Sequence, residues 1–226
     1  MARPLQSICP TQPSPFVSMP PLPYGAYGAP STATDWAQTY PPSFPIAVDL
    51  DGTLFPHHVL WQTFPSWPLL FQTARQAIWH KKPWPWFKHH VSESFWTPPQ
   101  HPWPIHQPLI KLLRAWQQQG CRLLLVTGSP QTIAETIASG LGIFHDVWHS
   151  TPTHHLVGEH KATALVTAFG SAGYTYIGDS WQDPPVWKHS RDIIVVNDPK
   201  SRLVRTVQRS ILPHQRLAIM PHPCKS

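Results

Sequence analysis

The chain has little charge, few cysteines and no long apolar run, and each scarcity narrows what it can be. Only 12% of its 226 residues are Asp, Glu, Lys or Arg, while 41% are hydrophobic, ample for the core of one compact domain. Three cysteines, Cys9, Cys121 and Cys224, exclude a disulfide framework and argue for reducing surroundings; Cys121 is expected to enter a core strand. No apolar stretch is long enough to span a bilayer. None near Met1 has the form of a secretory signal, and Arg3 alone makes a poor charged start. The expected location is the cytoplasm. Histidine is plentiful, with doublets at His57-His58, His89-His90 and His154-His155. No cysteine pair accompanies them, and adjacent residues on a strand face opposite ways, so they receive no zinc role.

Proline is the opposite case, with 29 in the chain and many crowded between residues 4 and 45 beside Ser, Thr, Gln and Gly. Residues 1–44 therefore read as a disordered lead, and residues 211–226 as a flexible tail. Between them, apolar runs bounded by turn residues predict strands near 46–50, 122–127, 144–148, 174–178 and 193–196. Pro108 to Gln119 carries Leu109, Leu112, Leu113 and Trp116 at helical spacing and stops at Gly120, as a glycine-terminated helix would. Thr132 to Ser139 reads as another helix. Alternating strands and helices predict an α/β fold, a Rossmann-like parallel sheet flanked by helices over residues 45–54 and 108–210, with a site at the C-terminal ends of the strands.

Residues 46–54, Ile-Ala-Val-Asp-Leu-Asp-Gly-Thr-Leu, deliver Asp49 and Asp51 onto a glycine turn. Residues two apart on a strand share a face, so both acids converge on one pocket. Such a pair lets one carboxylate act as nucleophile and the other as general acid and base, a division that phosphoryl transfer can use. Asp-Gly is also a common turn dipeptide, so three downstream segments decide the matter. Leu123 to Val126 leads into Thr127-Gly128-Ser129-Pro130, a buried run ending in phosphate ligands. Lys161 follows Gly158-Glu159-His160 and opens a helical pattern, with Lys188 a weaker rival. Tyr174 to Gly178 ends in Asp179, and Asp183 lies one helical turn beyond.

In this order the four segments resemble the motifs of the haloacid dehalogenase superfamily of phosphohydrolases, over roughly residues 45 to 208 and specific as a set. Tyr176–Trp187 and Gly158–Leu165 look like phosphoserine-phosphatase-type members, and closest to the phosphatase module fused ahead of UbiA-type prenyltransferases; no prenyltransferase follows before Ser226. The resemblance implies that Asp49 attacks phosphorus to form an aspartyl-phosphate. Asp51 protonates the leaving oxygen and then activates water, its proximity to Asp49 helping to keep it protonated. Mg²⁺ is implied as cofactor, held by Asp49, the Asp51 carbonyl and Asp179, with Asp183 orienting the shell. Thr127 and the backbone N–H groups near Gly52 and Gly128 would hold phosphoryl oxygens, and Lys161 would offset developing charge. Simple dehalogenation is disfavoured, because a halide leaving group needs no second acid. Gln182 departs from the asparagine many such members carry, and Trp181 adds unusual bulk.

Residues 55–107 are too many for a simple crossover and should form a small helical cap inserted over the site. They hold Trp61, Trp67, Trp79, Trp84, Trp86, Trp96 and Trp103 among Arg75, His80, Lys81, Lys82, Lys88, His89 and His90. A cap excludes water and selects the leaving group, and tryptophan suits an apolar or planar one. The tryptophans read first as the cap's own core with solvated cations, second as a peripheral membrane contact on anionic lipid, and last as a nucleic-acid surface, which the net charge of +6 alone argues poorly. The expected activity is Mg²⁺-dependent hydrolysis of a small, amphiphilic or lipid-linked phosphate ester. The alternative is a catalytically silent or accessory module at a lipid surface serving a separate prenyl-transfer enzyme.

Overall fold

The computed structural model describes residues 44–62, 84–96, 98 and 104–222. Strands β1 (Ile46–Val48), β2 (Leu123–Pro130), β3 (Asp146–Ser150), β4 (Thr175–Gly178), β5 (Asp192–Val196) and β6 (Arg216–Met220) form one sheet in the order β3-β2-β1-β4-β5-β6, every pairing parallel. Helices α1 (Val59–Gln62), α2 (Trp84–Phe95), α3 (Gln107–Gln118), α4 (Gln131–Leu141), α5 (Gly158–Phe169), α6 (Pro184–Lys188) and α7 (Arg202–Ser210) flank it. This is the α/β parallel sheet that the alternation of strands and helices predicts.

Strands buried on both faces are apolar throughout, and the two-residue alternation divides them between two cores. Ile46, Val48, Leu123, Leu125, Ile177 and Ile194 pack on one side with Leu109, Leu113 and Trp116 of α3 and Ile133 of α4. Ala47, Leu124, Val126, Tyr176, Ile193 and Val195 pack on the other with Leu165 of α5, Trp187 of α6 and Val204 of α7. Local signals set the helix ends. His106 Nδ1 accepts from the Leu109 N–H at 3.1 Å and Pro108 fills the first turn of α3, while Gly120 at φ 85 turns the chain back, as a left-handed residue after a helix should.

Two expectations are corrected. Cys121 is buried but sits in the turn ahead of β2, its N–H donating to the Trp116 carbonyl at 3.0 Å. Residues 211–226 are not simply a flexible tail: Arg216–Met220 pairs with Asp192–Val196 as β6. That strand is short and lies at the sheet edge between Pro213 and Pro221, which hides it from a periodicity argument. Tertiary contacts supply its register. Arg216 Nε and Nη2 donate to the two carboxylate oxygens of Asp192 at 2.6 and 2.7 Å, a bidentate geometry, and Gln215 Nε2 donates to the Trp187 and Ser190 carbonyls at 2.7 and 2.8 Å.

Residues 1–43 of the Pro-rich lead, about half of the inserted segment and residues 223–226 lie outside the described residues. The described part of the insertion includes α2, which joins the first core through Phe87 and Val91. No helix among the described residues is long and apolar enough to cross a membrane. The chain leaves central β1 for β2 and β3 on one side, then returns to β4, β5 and β6 on the other. Connections that part in this way open a crevice at the C-terminal ends of the central strands, where open α/β sheets place their ligands.

Candidate active site

Asp49 follows β1 directly, and its N–H donates to the Ile177 carbonyl at 2.9 Å, so the β1–β4 pairing itself fixes the residue. Buried Leu50 and Leu54 anchor the loop beyond, with the Leu54 N–H donating to the Leu50 carbonyl at 3.0 Å. Gly52, at φ 85, lets this loop touch the one after β4: a Cβ there would fall onto the Asp179 carboxylate. Thr53 Oγ1 donates to Asp179 Oδ1 at 3.2 Å, and Asn197 Nδ2 holds the Asp179 carbonyl at 3.0 Å.

Lys161 projects from α5 into this edge and is only 3% exposed. Its Nζ donates to Asp49 Oδ1 at 2.7 Å and to the Tyr176 hydroxyl at 2.9 Å, which in turn donates to Asp183 Oδ1 at 2.7 Å. Asp183 Oδ2 accepts from the N–H groups of Asp179 and Ser180 and from the Ser180 hydroxyl, at 3.0, 2.8 and 3.0 Å. Asp183 thus holds the loop carrying Asp179. The chain Asp49–Lys161–Tyr176–Asp183 ties three separate segments into one rigid unit.

Carboxylate oxygens of Asp49, Asp179 and Asp183 all lie within 4.8 Å of one another. Burial lifts the Asp49 carboxyl to about 7, with Lys161 opposing and Asp183 and Asp179 adding to the rise. Three gathered acids beside a single lysine are short of positive charge, and oxygen-only donors suit a hard divalent cation. The residues therefore fit Mg²⁺. Asp49 and Asp179 would hold it directly, while Asp183, its oxygens already engaged by protein donors, would act through the loop.

Asp51 is placed in the same crevice but not in that cluster. Its Oδ1 accepts from the Val59 N–H at 2.7 Å and its Oδ2 from the Ser129 hydroxyl at 2.6 Å, with His58 Nδ1 at 3.8 Å. Burial opposes its ionisation, but His58, Ser129 and the Val59 amide outweigh it and hold the carboxyl below the usual range. The expectation that Asp49 keeps Asp51 protonated is thus corrected: its own donors favour the carboxylate. His58, given no role in the sequence, is raised first by its contact with the Asp51 carboxylate.

Thr127 is fully buried, and its Oγ1 accepts from the Ser129 N–H at 3.0 Å. Gly128 lies beside it, its carbonyl taken by Lys88 Nζ at 2.7 Å and the Ser150 hydroxyl at 3.0 Å. Lys188 and Gln182 are exposed. Ser129, Tyr176, Thr53, Asn197 and Lys88 were missed as site residues. Ser129 follows Thr127 by two and Tyr176 precedes Gly178 by two, an alternation signal that could have flagged both; Lys88 was one cation among many.

No family model matches the chain. Uncharacterized protein y4nM of Sinorhizobium fredii (strain NBRC 101917 / NGR234) is 28% identical over 158 residues, 68% of this chain and 30% of that protein. The chain thus spans less than a third of the length of the curated relative it matches. A probable phosphoserine phosphatase from Vibrio cholerae superposes with a TM-score of 0.47 at 10% identity, over 77% of this chain and 60% of that one. A protein of unknown function from Bordetella pertussis Tohama I superposes with a TM-score of 0.55 at 14% identity, over 76% of this chain and 96% of that one, and shares its fold.

Proposed function

We propose that this chain is a phosphomonoester hydrolase of the haloacid dehalogenase type, with Asp49 as nucleophile. The observation that carries this reading is the buried Lys161–Asp49 pair at 2.7 Å, set among three carboxylates where β1 and β4 end. Mg²⁺ would supply charge neutralisation of the phosphoryl group there. Lys161 holds Asp49 Oδ1 in place and adds a positive charge where the transferring group passes. Asp49 attacks phosphorus as the ester bond breaks, and Asp51 gives its proton to the leaving oxygen. A water molecule then surrenders a proton to Asp51 and cleaves the aspartyl-phosphate, returning both carboxyl groups to their starting state. Asp51 favours the ionised form alone, but a phosphate dianion beside it favours protonation. Ser129 and the Val59 amide keep its carboxyl oriented through both steps.

The substrate is a small or amphiphilic ester, a reading supported by Trp181, 59% exposed on the loop between Asp179 and Asp183. Hydrolysis of phenyl phosphate with Mg²⁺ and then with EDTA tests the reading, alongside Asp49→Asn and Asp51→Asn. Metal-dependent turnover is expected, absent in Asp49→Asn, with slow phosphoenzyme formation left in Asp51→Asn; equal activity in both variants would overturn the mechanism. A second reading, contact with anionic lipid through the inserted segment, draws on Trp84, 52% exposed at the start of α2. Cosedimentation with phosphatidylserine vesicles that Trp84→Ser weakens would support it.

A further inference from the structure

Both oxygens of Asp51, the general acid of the proposed reaction, are held with help from the inserted segment. Asp51 Oδ1 accepts directly from the Val59 N–H at 2.7 Å. Asp51 Oδ2 accepts from the Ser129 hydroxyl at 2.6 Å, and where that hydroxyl points depends on the peptide unit joining Gly128 to Ser129. A peptide unit is planar, so its C=O and N–H turn together about the flanking bonds. Here both ends are tied. The Gly128 carbonyl accepts from Lys88 Nζ at 2.7 Å and from the Ser150 hydroxyl at 3.0 Å, and the Ser129 N–H donates to Thr127 Oγ1 at 3.0 Å.

These ties meet a need that the packing creates. Position 128 favours glycine, since a Cβ there would fall 2.5 Å from Val157 Cγ1, and glycine leaves the adjoining plane freer to rotate than other residues do. A rotated plane would carry the Ser129 hydroxyl off Asp51. Of the three ties, Thr127 and Ser150 belong to β2 and β3, whereas Lys88 comes from α2 in the inserted segment. Its helix neighbours Phe87 and Val91 are buried in the first core, in the cluster that also holds Val59. The packing that places the Val59 amide therefore also delivers the Lys88 ammonium. We infer that Lys88 is a positioning residue for the general acid, acting through the Gly128–Ser129 peptide unit to aim the Ser129 hydroxyl at Asp51. This rests on the phosphatase reading above and deepens it: the core carries the nucleophile, and the packed insertion sets the carboxyl that protonates the leaving oxygen.

The test compares phenyl phosphate, whose basic phenolate must be protonated as it leaves, with 2,4-dinitrophenyl phosphate, whose leaving group departs without a proton. A misplaced general acid slows the first far more than the second. Lys88→Met should lower kcat/KM for phenyl phosphate by about tenfold more than for the dinitrophenyl ester, the scale of one hydrogen bond to a charged group. Ser129→Ala should give the same imbalance, and adding Lys88→Met to it should not widen the gap, because the two residues act in series. Lys88→Arg, which keeps a cationic donor, should recover most of the phenyl phosphate loss. Were Lys88 to touch the phosphoryl group, or merely to support the fold, both esters would fall alike, which overturns the positioning role. Amide hydrogen exchange in wild type and Lys88→Met reads the tie without any catalysis. The Ser129 amide should exchange about tenfold faster in the variant, while the amides of β5 stay as they are. Equal exchange at Ser129 removes the tie and the inference with it. If neither ester turns over, the phosphatase reading falls and the exchange result alone decides whether Lys88 holds the peptide unit. Turnover with matching losses on both esters leaves the phosphatase standing and removes the positioning role.

Discussion

The two rims of the crevice are built on opposite plans. On the β4 side, Asp183 is 2% exposed and its two oxygens accept from Tyr176, Asp179 and Ser180. On the β2 side, among the described residues, Lys88 holds one carbonyl and His155 Nε2 has no hydrogen-bond partner. A rim whose polar groups are satisfied keeps a fixed geometry, which a nucleophile needs to meet phosphorus. On the reading proposed above, the β4 rim carries the chemistry common to any phosphate ester.

Substitutions on each rim should separate these plans. The largest loss is expected for Asp49→Asn, about four orders of magnitude or more in phenyl phosphate turnover, since it removes the proposed nucleophile that Lys161 holds. Detectable turnover at a tenth of wild type would move the nucleophile elsewhere. Next comes Asp183→Ala, which strands buried donors at about 1–3 kcal/mol each. Both the urea midpoint and activity should fall. Lys88→Met on the other rim should leave the midpoint equal or higher. If Lys88→Met proved as destabilising as Asp183→Ala, the contrast between the rims would be lost.

Tyr176→Phe is the sharper probe of the β4 rim, because it removes only the hydroxyl between Lys161 and Asp183. Turnover should fall by roughly tenfold, the scale of one hydrogen bond acting through Lys161, with a loss of stability near 1 kcal/mol. The β2 rim is probed by pH. His155 is pushed down from 6.5 to about 4 by burial, so between those values the unfolded chain binds more protons than the folded one. Stability is full above 6.5 and is lost as pH falls toward 4. His155→Gln should flatten that part of the slope in thermal melts from pH 7 to 4; an unchanged slope would place the titration elsewhere.

Much of the architecture is legible in the sequence, because parallel strands buried on both faces leave uninterrupted apolar runs. Ile46-Ala47-Val48 and Leu123 to Val126 announced themselves in this way. The strand at 216–220 did not, since an edge strand needs neither a long apolar run nor a clean alternation. Pairing with β5 and the Asp192–Arg216 bridge hold it in place instead. Asp49, Asp179, Asp183 and Lys161 do meet at one place. Thr127, read as a phosphate ligand, turns out to accept the Ser129 amide, while Ser129 reaches Asp51.

Sequence alone settled what depends on neighbours along the chain: which apolar runs become β1 to β5, and where acids stand beyond their ends. Tertiary structure decided what depends on residues far apart. Lys161 and Asp49 are 112 positions apart, Thr53 and Asp179 126, and Lys88 and Gly128 40. No local pattern encodes the protonation preference of Asp51 or the reach of Lys88. Both follow from burial and from the donors that packing delivers, and those exist only once the sheet has assembled.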